Sequence, residues 1–375
     1  MSSSERQRAV PGSSTSVSVD AVKPAEIDVL LPVHNALATL PEAVHDVLAQ
    51  EGVRLRLLAV LDTHGTGRDD GSGAWLRQRA ADDPRLVALE SEGSGLTDAL
   101  VTALAAATAP LVSLMESDDR CPPRRLATLL AALRGSEACG RPGRAGRHPP
   151  GALESGASVP DLRPLDGVVS RVAAFGDVSG GMTRYLAWQN DLLDGAAMAA
   201  ERFVEIPALH QTGLYRREAL LSLGGYATAG PWPADIDLWL RWFEAGLPIA
   251  KLPETLYRWR QHGGQSTKGG GDHSHAALRA ARLHYLARLH GKDGREPRAL
   301  RLVSTGATLR TWEAVLRAGP FELAGTHAWR PGAPPPPRPA AGELLLAVYG
   351  MVRAREALRA ALPDCLEPDE LLFAG

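Results

Sequence analysis

The chain has 375 residues, 45% of them hydrophobic and 22% charged, with a formal net charge of -2. That length accommodates two domains or one domain with a substantial appendage, and the apolar share can fill a sizeable core. The near-balanced charge excludes the global basic field of a nucleic-acid binder, so no nucleic-acid partner is expected.

Residues 1–25 are Ser-rich and polar, lack the apolar run of a signal peptide, and are expected to form a disordered lead-in. The first strand is expected from Ile27 to Leu31, stopped by Pro32. A helix follows, with Thr39 as N-cap, Pro41 in the first turn and Glu42 completing a capping box; Val44, Val47 and Leu48 give its apolar spacing. A second strand, Arg56 to Leu61, ends at Asp62 and a glycine-rich turn, Gly65 to Gly73. A helix over Ala74 to Ala81, a strand over Leu86 to Leu89, a helix over Leu96 to Ala107 and a strand over Leu111 to Met115 come next. The last strand runs straight into Glu116-Ser117-Asp118-Asp119. This alternation predicts an α/β fold with a mainly parallel, Rossmann-like sheet flanked by helices. Ligands of such sheets bind at the carboxyl ends of the strands, where Asp62 and the acidic cluster both fall.

Gly135 to Pro164 has no hydrophobic period and is expected to be a mobile insertion. Order resumes with a strand over Asp166 to Phe175 and helices over Arg184 to Leu193, Arg217 to Leu223, Ile236 to Ala245 and Ala276 to Leu289. The tail reads as a separate small α/β unit of about 80 residues. Its strands are expected at Leu300–Ser304, Phe321–Ala324 and Leu344–Val348, its helices at Leu309–Arg317 and Arg353–Leu362, and a last apolar run at Leu371–Phe373. The expected organisation is therefore a lead-in over 1–25, a main domain over 26–290 and a small C-terminal domain over 292–375. No stretch reaches the roughly 20 apolar residues of a membrane-spanning helix. Cys121, Cys139 and Cys365 are odd in number and widely spaced, which suits a reducing compartment. A cytoplasmic protein is expected, with peripheral attachment to the inner face of a membrane left open.

The acidic cluster carries the chemistry. Three acids in four positions repel one another unless a cation or solvent relieves them, and hard cations such as Mg²⁺ or Mn²⁺ prefer carboxylate oxygens. Taken alone, the same residues describe a solvated acidic turn.

The run from Val29 to Leu130 resembles the family 2 glycosyltransferases with a GT-A fold. The resemblance rests on Val29-Leu30-Leu31-Pro32-Val33-His34-Asn35, Ala38 to Ala43, Asp83-Pro84-Arg85-Leu86-Val87, Met115 to Asp119 and Pro123 to Leu126, in that order and spacing. It implies that Pro32 and Asp62 line the nucleotide base pocket and that Asp118 and Asp119 belong to the metal and ribose site. Arg184 to Asn190, Arg202 to Glu205 and His210 to Glu218 resemble one bacterial branch of the family. Pro231-Trp232-Pro233-Ala234-Asp235-Ile236-Asp237 stands where the family has its Glu-Asp motif, which maps the catalytic base of inverting members onto Asp235. A carboxylate suits that task because it can take a hydroxyl proton as the new bond forms; a plainer role for Asp235 is helix N-cap. Arg258 to Ser266 matches a late family motif in which Arg258 contacts the pyrophosphate and His262 completes a metal shell; a surface loop is the alternative. The tail resembles a Rossmann-like unit of the same branch, but Ser304 to Thr311 lacks most of its glycines, so a structural or interaction-mediating unit that binds no dinucleotide is expected.

The resemblance has gaps. Leu61 replaces the first of two adjacent acids after the second strand, Glu116 stands for an Asp, and Ala234 stands for the Glu before Asp235. The expected function is transfer of a sugar from a nucleotide-diphosphate donor to an unidentified acceptor hydroxyl, inverting and dependent on Mg²⁺ or Mn²⁺. The alternative is a non-catalytic nucleotide-sugar-binding or scaffold protein of the same descent.

Overall fold

The computed structural model describes residues 25–63, 69–139, 163–263, 274–290, 298–362 and 370–375. The lead-in to residue 24, residues 64–68 of the glycine-rich turn, most of the expected insertion and residues 264–266 of the late motif lie outside the described residues.

Alternating strands and helices build the main sheet: β1 (Ile27–Val33), α1 (Leu40–Leu48), β2 (Leu55–Leu61), α2 (Ser72–Asp82), β3 (Leu86–Glu90), α3 (Leu96–Ala106), β4 (Leu111–Leu114) and α4 (Arg125–Cys139). There follow β5 (Gly167–Gly176), α5 (Gly180–Asp191), α6 (Gly195–Glu201), β6 (Leu214–Arg216), α7 (Arg217–Ser222), α8 (Ala234–Glu244), β7 (Ile249–Gln261) and α9 (His275–His290). The seven strands lie in the order β3-β2-β1-β4-β6-β5-β7, and only β6 runs antiparallel to its neighbours. Successive side chains of a strand point to opposite faces. Ile27, Val29 and Leu31 of β1 accordingly enter one core with α1 and α4, while Leu30 enters a second core with α3 and α8. Because both faces are covered, β1 is buried along its whole length and apolar except for Asp28, whose carboxylate is paired with Arg56 at 2.9 Å. Pro32 is accommodated within β1 because the ladder to β4 ends at Leu30.

A second, all-parallel sheet follows: β8 (Ala299–Ser304), α10 (Gly306–Ala318), β9 (Leu323–Ala328), β10 (Glu343–Val348), α11 (Val352–Ala361) and β11 (Leu371–Ala374), in the order β11-β10-β8-β9. It shares a core with the main sheet's helices, since Ile236, Leu240 and Tyr285 pack with Leu300, Leu346 and Trp312. No helix among the described residues is long and apolar enough to cross a membrane.

Four local expectations are corrected. The Thr39 side chain does not cap α1; its hydroxyl donates to Ala36 O, and the Glu42 carboxylate is drawn instead to Arg260 and Arg120. Helix α4 continues through Cys139, so the first residues of the expected insertion are helical. Strand β7 runs 13 residues, which puts Arg258 and Arg260 on a strand rather than in a loop. Pro253 and the charges along it hide the alternation, and a register shift against β5 spans that proline. Strand β9 begins at Leu323 and reaches Ala328; Gly325, Thr326 and His327 gave no apolar signal because only alternate residues of this edge strand turn inward.

Candidate active site

The carboxyl ends of β1, β2 and β4 are adjacent, so the turns that leave them share one rim. Asp62 follows β2 directly, its amide donating to Val33 O at 2.8 Å. Its carboxylate is nearly buried, with Oδ2 accepting from the Gly95 amide at 2.7 Å, and His34 Nδ1 lies 3.0 Å from Asp62 O and 3.7 Å from Oδ2. Pro32 is buried beside it and registered against Val60. Asn35, next in the β1 turn, has φ 48°. Asn tolerates this left-handed backbone better than most residues, and its Oδ1 accepts from the Asp70 amide at 3.2 Å. The turn is thereby tied to the start of α2, where Ser72 Oγ accepts from the Ala36 amide.

On the other side of β1, the acidic turn after β4 is zipped to the end of β7. Arg120 and Arg258 exchange backbone hydrogen bonds of 3.0 and 2.9 Å. The Arg260 amide donates to Asp119 Oδ1 at 2.7 Å, and its Nε donates to Asp118 O at 2.5 Å. The Arg260 guanidinium also reaches Glu42 at 2.9 Å. Beneath the turn, the Glu116 amide donates to Tyr257 Oη, and the buried Arg125 guanidinium lies over the Tyr257 ring while holding Ser113 Oγ, Leu114 O and Gln211 O. The acids are thus fixed by neighbours that mostly contact their backbone, which leaves carboxylate oxygens available.

Asp119 is 1% exposed, and its Oδ2 has no hydrogen-bond partner among the described residues. Burial first, then the nearby Asp118 charge, pushes its carboxyl well above the usual carboxylate range, with partial relief from the Arg260 amide. Glu116 is pushed up to about 8 by burial, by Asp118 and by Asp235. His262, just past β7, places Nε2 3.0 Å from Asp118 Oδ2. No group of three or more His, Cys, Asp or Glu side chains forms a ready cage for a metal ion among the described residues. An orphaned, buried carboxylate oxygen beside a second carboxylate nevertheless matches a hard divalent cation that takes its remaining ligands from phosphate and water.

Asp235 comes to this cluster from far along the chain. Helix α8 starts at Ala234 with Pro233 in the capping position, so Asp235 lies inside the first turn and is not the N-cap. It is partly exposed, its Oδ1 accepts from the Ile236 amide, and its charge acts on Glu116 and on Tyr185. The second acid of that motif does something else. Asp237 is fully buried and accepts from Trp232 Nε1 at 2.6 Å, Tyr285 Oη at 2.8 Å and Arg241 Nε at 2.7 Å, a structural knot between α8 and α9.

Arg258 is exposed, and its guanidinium lies over the Phe175 ring at 5.0 Å; Arg260 covers the same ring at 4.6 Å. The structure therefore brings Asp118, Asp119, His262, Arg258 and Asp235 to one end of the main sheet, with Pro32 and Asp62 across β1. Sequence reasoning overlooked Arg260, Tyr257 and Glu42. The available signal was the i, i+2 spacing of Arg258 and Arg260, which places both on one face of a strand once the segment is read as one. His210 is a core residue: it is buried, Nε2 is 2.8 Å from Tyr226 Oη, and burial pulls its pKa down to about 3.

Residues 28–151 match the family model for glycosyl transferase family 2. No curated protein matches the chain in a sequence comparison. Among solved structures, S. aureus TarS 1-349 in complex with UDP-GlcNAc aligns with a TM-score of 0.52 at 12% identity, covering 72% of this chain and 68% of that one. The mannosyltransferase PcManGT from Pyrobaculum calidifontis, solved with GDP-Man and Mn²⁺, aligns with a TM-score of 0.43 at 19% identity, covering 74% and 67%.

Proposed function

We propose that the chain, whose residues 28–151 match the family model for glycosyl transferase family 2, is an inverting, divalent-metal-dependent glycosyltransferase that moves a sugar from a nucleotide diphosphate to an acceptor hydroxyl. The observation that carries this reading is the partnerless Asp119 Oδ2, buried beside Asp118 at the end of β4. TarS, whose fold the chain shares, was solved with a nucleotide sugar, which supports the donor class.

Asp118 and Asp119, with His262 beside Asp118, would hold Mg²⁺ or Mn²⁺. When bound, such an ion neutralises charge on the diphosphate leaving group. Asp62 and Pro32 hold the base across β1, and the exposed Arg258 faces the diphosphate as a planar donor. Asp235 takes the proton of the acceptor hydroxyl as that oxygen attacks the anomeric carbon, on the side opposite the leaving diphosphate. Its partial exposure leaves it reachable by an acceptor, whereas burial and the Asp118 and Asp235 charges push the Glu116 carboxyl up to about 8.

Thermal melting with UDP, GDP, dTDP and ADP, each with and without Mn²⁺, tests the donor site on wild type and Asp119→Ala. A ligand that binds only the folded state raises its apparent stability. A Mn²⁺-dependent rise with one nucleotide, absent in the variant, is expected. The same melts with no response in either protein would defeat the reading. A response without transfer or hydrolysis of the matching sugar nucleotide would favour the donor-binding scaffold, the reading to which Ala234 in place of the family's Glu points.

A further inference from the structure

Helices α1 and α2 lie on the same face of the main sheet, and between them is a cavity of about 340 Å³ lined by Pro41, Val44, His45, Trp75, Gln78, Arg79 and Asp82. The residues next to this lining are engaged: Glu42 with Arg260, Asp46 with Arg120, Arg77 with Glu90, and Asp83 with Arg85. Of the polar groups that line it, Arg79 acts on Asp83 through its charge alone. The side chains of His45, Trp75, Gln78, Arg79 and Asp82 make no hydrogen bond or ion pair among the described residues. Trp75 is half-buried, resting part of its indole on the core beside Leu76 and leaving the rest to the cavity.

The lining selects a ligand class. One cation and one anion oppose each other, so neither a phosphate nor an ammonium group is favoured. An imidazole, an amide and an indole N–H add neutral donors and acceptors around a floor of Val44, Pro41 and the indole. An aromatic surface with mixed hydrogen-bonding groups at its rim suits a neutral polyhydroxylated ring, apolar on its face and polar at its edge. The volume is at the small end of ligand sites.

The position adds the rest. Pro41 is adjacent to Glu42, which is held by Arg260 from the acidic turn, and the heads of α1 and α2 are tied together by the Ala36 and Leu37 amides on Ser72 Oγ and Asp70 Oδ2. The groove therefore starts beside the rim of the candidate active site and descends away from it. We propose that it is an accessory saccharide site, holding sugar units of an extended chain apart from the unit being transferred; this rests on the glycosyltransferase reading.

Saturation-transfer NMR on the full chain, with hexasaccharides of N-acetylglucosamine, glucose and mannose as probes, tests it. Transfer to at least one hexasaccharide is expected in wild type and in Asp119→Ala. Trp75→Ala is expected to weaken binding about tenfold or more, as loss of an aromatic anchor does. The exposed pair Gln78→Ala/Arg79→Ala, which leaves the core untouched, is expected to weaken it as well. Both variants keep the Mn²⁺-dependent nucleotide melt of wild type. Absence of transfer to all three probes, or transfer that survives both groove variants, or transfer lost with Asp119→Ala, overturns the proposal. A failed nucleotide melt with hexasaccharide binding intact would instead count against the donor site alone.

Discussion

At the carboxyl end of β4, three acids crowd one turn and Asp119 Oδ2 is left without a partner. At the carboxyl end of β8, in the second parallel sheet, the Ser304 hydroxyl donates to Val348 O and the Trp329 amide closes onto Ser304 O. Trp329 and Tyr349 then pack edge to face over the strand ends, and Tyr349 Oη donates to Trp329 O. Both sheets have the parallel α/β edge at which ligands usually sit. In one, that edge is held from below and kept open by acids that cannot satisfy one another. In the other, buried aromatic rings pack over it. Topology supplies the place for a site, and the side chains at the strand ends decide whether there is one.

The sharpest way to break this contrast is at Asp235. Asp235→Asn keeps the volume and the hydrogen bond to the Ile236 amide but removes the base, so kcat is expected to fall about 10²–10⁴-fold. The nucleotide-dependent melting shift is expected to persist. Transfer by the variant at wild-type rate would mean that the proton goes elsewhere.

The complementary change is in the second sheet. Trp329 is 2% exposed, and Trp329→Ala removes most of that packing, at an expected cost of about 3–5 kcal/mol, read by denaturant unfolding. Nucleotide-dependent shifts of the lowered Tm should be unchanged in sign. If Trp329→Ala abolished them while Asp119→Ala did not, the two edges would have to exchange roles.

Much of this contrast was legible in the sequence. The largely apolar runs of β1 and β4, each broken by a single polar residue, announced strands buried on both faces, and the acids immediately after β4 announced which edge carries charge. The small unit's β8 and β10 were legible for the same reason. What could not be read were features set by partners distant in the chain. Glu42 has the spacing of a capping box, but Arg260, more than two hundred residues later, competes for its carboxylate and wins. Asp235 and Asp237 are equivalent as letters; only the packing of Trp232, Tyr285 and Arg241 makes one a buried knot and leaves the other at the rim. Strand β7 was hidden because its pattern is broken by a proline that a register shift absorbs.

A third test addresses the join between the two regions. Glu201 at the end of α6 is 4% exposed and meets Arg355 of α11 at 3.1 Å, Arg359 at 2.5 Å and Trp188 Nε1 at 3.3 Å. Glu201→Gln leaves the buried Arg355 without its countercharge, at an expected cost of about 1.5–3 kcal/mol. Hydrogen exchange is expected to speed up first in α11 and β11, with the main sheet unaffected. Uniform acceleration over both sheets would mean that they unfold as one unit.

The smallest effect is expected at Lys251, which anchors the segment bearing α6 to β7. Its amide donates to Leu193 O, and its buried ammonium donates to Gln189 O and Pro207 O. Burial lowers its pKa from 10.5 to about 7, with Arg171 adding to the shift. Between these values the unfolded chain binds the proton and the folded chain releases it, so stability rises with pH across that window. Below about pH 7 both states are protonated and the cost of burying the charge is fully present. The two carbonyls offset part of that cost, so the rise in wild-type Tm from pH 7 to pH 10 should be a few degrees. Lys251→Met retains the length of the side chain and removes the titrating group. Its Tm is expected to be lower at pH 10, because two carbonyls lose their donor, yet flatter between pH 7 and pH 10. An equally steep rise in the variant would assign the pH dependence to another group and leave Lys251 as a plain hydrogen-bond donor. A flat profile would place a pH-sensitive fastening on the main-sheet side of the join, next to the segment that carries Glu201.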